Sequence, residues 1–346
     1  MKLVTFRIQT PVGWFDRLGA VVGDAVLDLN AAYAWYLKQQ GDSQPQHMAN
    51  ALLPANMRGF LNAGSRAMEN ARVLQELYKH HEFAHNTGLK GAKLLFQKDD
   101  VELQAPVPDA TVYRDFFAFE QHVKTGFDRR GEEIPKYWYE IPVYYKGNPR
   151  SMIGPNAEVP WPSYSRKLDY ELELACVIGK RGQNIPEQEA KHYIAGYMIL
   201  NDISARDIQK KEMACRLGPA KAKDFCSVIG PWLVTADEVG DVYDLTMTAH
   251  VNDEEWSRGH SGSIHWTFEK MVAFASQHET LYPGDIIGTG TVGTGCGLEL
   301  DRWIQPGDKV SLTIDKLGTL TNPIGQPLGQ HDIAIPPAEL TACAGV

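Results

Sequence analysis

The stretch Leu168-Asp-Tyr-Glu171-Leu-Glu173-Leu-Ala-Cys-Val-Ile178 reads as a β-strand that carries two carboxylates through an otherwise apolar run. Side chains alternate between the two faces of a strand. Glu171, Glu173 and Ala175 therefore share one face, while Leu172, Leu174, Cys176 and Ile178 share the other. Ionised carboxylates this close on an apolar strand repel each other and are poorly solvated, unless a cation lies between them or one of them takes up a proton. A divalent metal is the simplest resolution. The other reading open here is a half-exposed strand whose glutamates form a solvated face.

Outward from this strand, the apolar run Ile194-Ala-Gly-Tyr-Met-Ile-Leu200 ends at Asn201-Asp202, where a helical pattern begins, and so supplies a third acid at a strand end. Upstream, Tyr113-Arg-Asp115-Phe-Phe-Ala-Phe-Glu-Gln-His122 pairs an acid with a histidine. A helical segment would bring Asp115 and His122 to nearly the same face, about 10 Å apart along the axis. That suits a metal ligand with a base nearby; the alternative is a surface aspartate and an unrelated histidine. After Asp202, Ser204 and Asp207 have the spacing of a capping box. Arg206, Gln209 and Met213 then fall on one helical face that begins beside the acids, where hydrogen-bond donors can hold a developing oxyanion. An ordinary amphipathic surface helix is the competing reading.

Gly288-Thr-Gly290-Thr-Val-Gly293 matches G-x-G-x-x-G after a short strand. A dinucleotide site also needs a helix whose N-terminus meets the pyrophosphate, and the alternating Leu298-Glu299-Leu300 offers none. The glycines are expected instead to let the backbone approach a small ligand closely.

The chain has 346 residues, 43% of them hydrophobic and 22% charged, enough for a substantial core and for two domains. A formal charge of −9 argues against nucleic acid and anionic membrane as partners. No apolar run has the length of a membrane span, and Met1-Lys-Leu-Val-Thr-Phe-Arg is too short and polar for a signal peptide, so a cytoplasmic location is expected. Cys176, Cys215, Cys226, Cys296 and Cys343 form no Cys-x-x-Cys pair, which disfavours a structural zinc site.

Residues 1 to about 30 alternate like short strands, with Gly23-Asp24 as a hairpin turn. From about 31 to 90 the apolar positions recur every three or four residues, as in a helix. Together these predict a small N-terminal α+β domain over 1–105, followed by a catalytic domain over 106–335 and a C-terminal tail over 336–346. Two turns share one pattern, Tyr282-Pro-Gly-Asp285 and Gln305-Pro-Gly-Asp308, each feeding a strand. Strands outnumber long helices after residue 110, without βα alternation, which points to an α+β fold with a curved or barrel-like sheet.

Several of these motifs, in this order, resemble the fumarylacetoacetate hydrolase family. They are Tyr113-Arg-Asp115-Phe with Gln121-His122, Ile141-Pro-Val-Tyr-Tyr145-Lys-Gly147, Leu168-Asp-Tyr-Glu171-Leu-Glu173, Asn201-Asp202-Ile-Ser-Ala-Arg206-Asp-Ile-Gln209, Lys223-Asp-Phe with Gly230-Pro-Trp, and Gly290-Thr291 with Leu298-Glu299-Leu300. The resemblance implies that fold, a mixed β-roll or barrel, and a divalent metal (Mg, Mn or Ca) on Asp115, Glu171, Glu173 and Asp202. It also implies His122 as general base with Glu299 orienting it, Arg206, Gln209 and Lys223 as oxyanion groups, and Arg130, Tyr145 and Thr291 as substrate contacts. Similar enzymes hydrolyse a C–C bond in 1,3-diketo acids of aromatic catabolism, the metal polarising the diketone and stabilising the enolate, and they commonly form homodimers. Phe117 and Met213 stand where the tyrosine-breakdown hydrolase has tyrosines, so the substrate type stays open among fumarylacetoacetate, acylpyruvate and fumarylpyruvate. An acylpyruvate or a ring-cleavage product of aromatic degradation matches at least as well as fumarylacetoacetate. The rivals are decarboxylation, isomerisation or hydration within the family, a non-catalytic metal-dependent 2-oxo acid binder, and a nicotinamide enzyme built on Gly288 to Gly293.

Overall fold

A computed structural model describes residues 1–79 and 86–327. The tail over 336–346, Cys343 and the helical reading of residues 80–85 lie outside the described residues. The strand Glu171–Ile178 is buried along its whole length. It lies between two antiparallel neighbours, Ile194–Asn201 and Ile286–Cys296, in a twelve-stranded sheet. Its two faces enter two different cores, as the alternation predicts. Leu172, Leu174, Cys176 and Ile178 pack with Met247, Ala249, Leu312 and Ile314 of a separate five-stranded sheet. Ala175 and Val177 pack on the other side with Leu3, Leu18, Phe60 and Leu74 from the N-terminal segment.

That N-terminal segment forms strands Lys2–Thr10, Gly13–Val22 and Ala25–Asp28, with the turn at Gly23-Asp24, and then helices Leu29–Gln39, Pro45–Leu52 and Met57–Lys79. Asp28 starts the first helix by accepting the N–H of Ala31. The strand Lys2–Thr10 pairs with Ser227–Thr235, Leu3 lying opposite Leu233, so the N-terminal strands extend the same sheet that carries the glutamates.

The two Pro-Gly turns are built alike. Asp285 accepts the N–H of Tyr282 at 3.0 Å and Asp308 accepts that of Gln305 at 2.7 Å, and each turn leads into its strand, Ile286–Cys296 or Lys309–Ile314. Among the described residues no helix is long and apolar enough to cross a membrane. The mixed α+β architecture agrees with the expectation from sequence.

Two local expectations are corrected. Asp115 lies in a strand, Tyr113–Phe116, and the helix carrying His122 begins only at Glu120, so no continuous helix joins them. The capping box also fails. The helix Arg206–Ala214 has no side-chain cap at Ala205, because the Ser204 hydroxyl donates to the Asp202 carbonyl and Asp207 accepts from Ser165 Oγ at 2.6 Å.

Candidate metal centre

Three strand segments supply the acids. Glu171 and Glu173 come from the central strand, and Asp202 follows the end of its neighbour Ile194–Asn201. Asp115 arrives on Tyr113–Phe116, which runs parallel to Ile286–Cys296 and sets Asp115 opposite Gly288. Carboxylate oxygens of Asp115, Glu171, Glu173 and Asp202 lie within 4.8 Å of one another, and all four side chains are buried.

The support around them is dense. Lys223 Nζ donates to Glu171 Oε2 at 2.6 Å and to Asp202 Oδ2 at 2.5 Å. Arg206 donates to Glu171 Oε1 at 2.7 Å, to Asp169 at 2.8 Å and to Gln209 Oε1 at 2.9 Å. Tyr145 OH and Ser227 Oγ donate to Asp202, at 2.6 and 3.1 Å, and Thr291 Oγ1 donates to Glu173 Oε1 at 3.2 Å. Glu173 Oε2, by contrast, is buried with no hydrogen-bond partner.

Two cations thus face four carboxylates, and the protonation pattern reflects the shortfall. For Glu171, burial opposes ionisation, but Lys223, Arg206 and His122 outweigh it and hold its carboxyl below the usual range. Burial pushes Asp115 and Glu173 well above that range, and the surrounding carboxylates add to the push. An orphaned oxygen, uncompensated negative charge and an all-oxygen donor set fit a hard divalent cation such as Mg²⁺, Mn²⁺ or Ca²⁺.

The raised carboxyls predict a pH effect with a definite sign. The metal-free fold holds protons that the unfolded chain releases, so this contribution to stability is full below the ordinary carboxylate range. It is lost as pH rises through the elevated folded values. With chelator, Tm is expected to fall from acidic to neutral pH relative to the metal-loaded protein; parallel Tm curves with and without chelator would contradict this.

The glycines of Gly288–Gly293 lie inside the strand Ile286–Cys296 and meet protein, which corrects the expectation that they approach a ligand. A Cβ on Gly288 would stand 2.5 Å from Asp115 Oδ1, and one on Gly290 would stand 2.3 Å from the Phe116 carbonyl. Gly288→Ala is therefore expected to displace Asp115 and weaken Mn²⁺ binding by roughly 10- to 100-fold, the range for changes just outside a ligand shell. Manganese titration gives the readout, and unchanged affinity would show that Asp115 tolerates the shift.

Beside the acids, His122 on the helix Glu120–Asp128 approaches Glu299 on the short helix Gly297–Leu300, with Nδ1 at 3.2 Å from Oε2. Nδ1 is not aligned for a linear hydrogen bond in this arrangement. The Phe117 ring meets the imidazole edge to face at 5.4 Å. Other residues singled out by sequence lie further out: Met213 is exposed, and Arg130 pairs with Glu132 at 2.8 Å and stacks over Phe127. Thr291 is buried and Tyr145 half-buried, and both are bound to the carboxylates themselves.

The structure adds residues that sequence reasoning passed over. Asp169 is fully buried, grips Arg206, and accepts the N–H groups of Gly297 at 2.7 Å and Leu298 at 3.0 Å, so one carboxylate ties the Glu299 turn to Arg206 and, through it, to Glu171. Its position two residues before Glu171 carried the signal. Asn201 fixes the strand edge by accepting the Glu171 N–H at 3.0 Å. Ser227 had no local signal.

Residues 111–325 match the family described as fumarylacetoacetate (FAA) hydrolase, C-terminal. Over 334 residues the chain is 30% identical to oxaloacetate tautomerase fahd2, mitochondrial, of Xenopus laevis, covering 94% of this chain and 90% of that protein. Among solved structures it resembles a putative HpcE protein from Mycobacterium smegmatis, at 25% identity and TM-score 0.68, covering 94% of this chain and 99% of that one. It also resembles maleylpyruvate hydrolase from Sphingobium sp. SYK-6 in complex with manganese(II) ion and pyruvate, at 25% identity and TM-score 0.63, covering 95% and 100%.

Proposed function

The chain belongs to the fumarylacetoacetate hydrolase family, and on that footing we propose that it is a divalent-metal-dependent hydrolase acting on a C–C bond of a 1,3-diketo acid, of acylpyruvate or fumarylpyruvate type, in aromatic catabolism. The observation that carries this reading is the His122–Glu299 pair, 3.2 Å apart and close enough to the acids that His122 bears on the ionisation of Glu171. Tautomerisation or isomerisation of a 2-oxo acid does not require a paired base to activate water; hydrolysis does.

Asp115, Glu171, Glu173 and Asp202 would hold the ion. The chemistry supplied by a bound divalent cation at such a site is Lewis-acid polarisation of a carbonyl. His122 takes a proton from water as the water oxygen adds to the acyl carbonyl, and Glu299 stabilises the imidazolium that results. Lys223 and Arg206 keep positive charge beside the forming oxyanion, with Gln209 orienting the guanidinium. When the C–C bond breaks, the electron pair leaves with the carbon of the 2-oxo acid fragment and the imidazolium proton returns to that carbon. The products are a carboxylic acid and a 2-oxo acid. Phe117, which offers no hydroxyl, suits an acyl tail without a polar group at that position.

The likeness to the Xenopus laevis tautomerase supports a second reading, enol–keto exchange without bond cleavage. One assay separates the two. With Mg²⁺ and a panel of acylpyruvates, hydrolysis gives loss of enol absorbance together with a carboxylic acid and pyruvate in equal amounts. Loss of absorbance with the carbon skeleton intact would replace the hydrolase reading by the tautomerase one, and release of carbon dioxide would eliminate both.

A further inference from the structure

Cys296 closes the strand Ile286–Cys296 directly opposite Glu171, and Glu299 follows on the next turn. His122 reaches the same place from a distant helix, so that ligand atoms of His122, Cys296 and Glu299 lie within 4.8 Å of one another. This is a nitrogen, sulfur and oxygen set, unlike the all-carboxylate cluster next to it. The wide sequence separation of histidine and cysteine hid it from a search for closely spaced zinc ligands.

Two edges of the set have the spacing of a tetrahedral ion, and the third, from His122 to Cys296, lies within 4.8 Å. Ordinary zinc bond lengths give a nitrogen-to-oxygen edge of about 3.4 Å and a sulfur-to-oxygen edge of about 3.6 Å. Here Glu299 Oε2 is 3.2 Å from His122 Nδ1 and 3.7 Å from Cys296 Sγ. Independently, Glu299 Oε1, on a side chain 3% exposed, has no hydrogen-bond partner, and the buried His122 Nδ1 makes no hydrogen bond although it lies 3.2 Å from Glu299 Oε2. Buried polar atoms without a hydrogen bond are rare, and these two sit on two of the three groups in the set.

We propose that His122, Cys296 and Glu299 form a second metal site, selective for zinc or a similarly soft divalent ion, whose occupancy switches off the neighbouring hydrolytic centre. Three protein ligands leave the fourth position to water. On ligation the Cys296 thiol releases its proton to solvent, and the Nδ1 lone pair of His122 goes to the metal, so Glu299 no longer pairs with an Nδ1–H and the ring loses basicity. Only the inhibitory part rests on the proposed hydrolase reading; the metal site does not.

Cobalt(II) is the probe, added to the full chain in excess Mg²⁺. The wild-type protein is expected to take up one equivalent, with a near-ultraviolet thiolate-to-cobalt charge-transfer band that zinc abolishes. Cys296→Ser should lose the band and keep Mg²⁺-dependent turnover, and Cys215→Ser, which alters an exposed thiol, should keep it. Changes in outer-shell groups already cost about 10- to 100-fold in metal affinity, so in Cys296→Ser the zinc concentration for half-inhibition should rise at least tenfold. Absence of the band in the wild type, or its survival in Cys296→Ser, overturns the site whatever the turnover. Acylpyruvate left uncleaved by a protein that shows the band overturns the hydrolase reading and leaves the site standing.

Discussion

Replacing His122 with alanine is expected to lower kcat for an acylpyruvate by about 10²- to 10⁴-fold, the contribution of a positioned general base, with KM and Mg²⁺ affinity at the four carboxylates changed little. The imidazole approaches the acid cluster without being one of its oxygen donors, and its packing partners are the edge of Phe117 and the carboxylate of Glu299. Added imidazole should restore part of the rate, because the lost group is a proton acceptor. A fall in kcat below tenfold, with no rescue, would mean that water is activated by another group.

The second large effect falls on stability. Lys223→Met removes an ammonium that is 4% exposed and held between Glu171 and Asp202. Burial disfavours that charge, but Asp202 and Glu171 more than offset the penalty and raise its pKa above the usual lysine value, so the group is cationic at neutral pH. Breaking a buried ion pair from one side costs about 3–5 kcal/mol, because the remaining charge is left uncompensated. In chelator the variant is expected to lose stability of that order. Manganese should recover much of the loss, since a divalent ion supplies charge to the same carboxylates. Urea denaturation with and without the metal measures both, and equal destabilisation in the two conditions would separate Lys223 from the acid cluster.

What the sequence revealed follows from which interactions are local. The strand Glu171–Ile178 was legible because its period of two sorts polar from apolar residues within eight positions, and the fold sends those two faces into two cores. The twin Pro-Gly-Asp turns were legible because Asp285 and Asp308 close them on their own backbone. The failures are long-range. Ser204 and Asp207 have the spacing of a cap, yet Ser165, far back in the chain, takes the aspartate. The glycines between Gly288 and Gly293 mark a close approach, but only the fold shows that what approaches is Asp115 and Phe116. Pairing of Leu3 with Leu233 leaves no local trace, so nothing in the pattern announced that the N-terminal strands extend the central sheet. The candidate metal ligands and the histidine with its glutamate were reached through several weak motifs whose order resembled a family; spacing alone left each of them ambiguous.

On the proposed reading, Asp115, Glu171, Glu173 and Asp202 hold one divalent ion beside His122. A crystal of the protein soaked in Mn²⁺, with data collected at the manganese edge, tests it most directly. One strong anomalous peak is expected within about 2.6 Å of an oxygen from each of the four side chains, the outer limit for oxygen ligation of such ions. A peak elsewhere, or none at a manganese concentration that supports turnover, would contradict it.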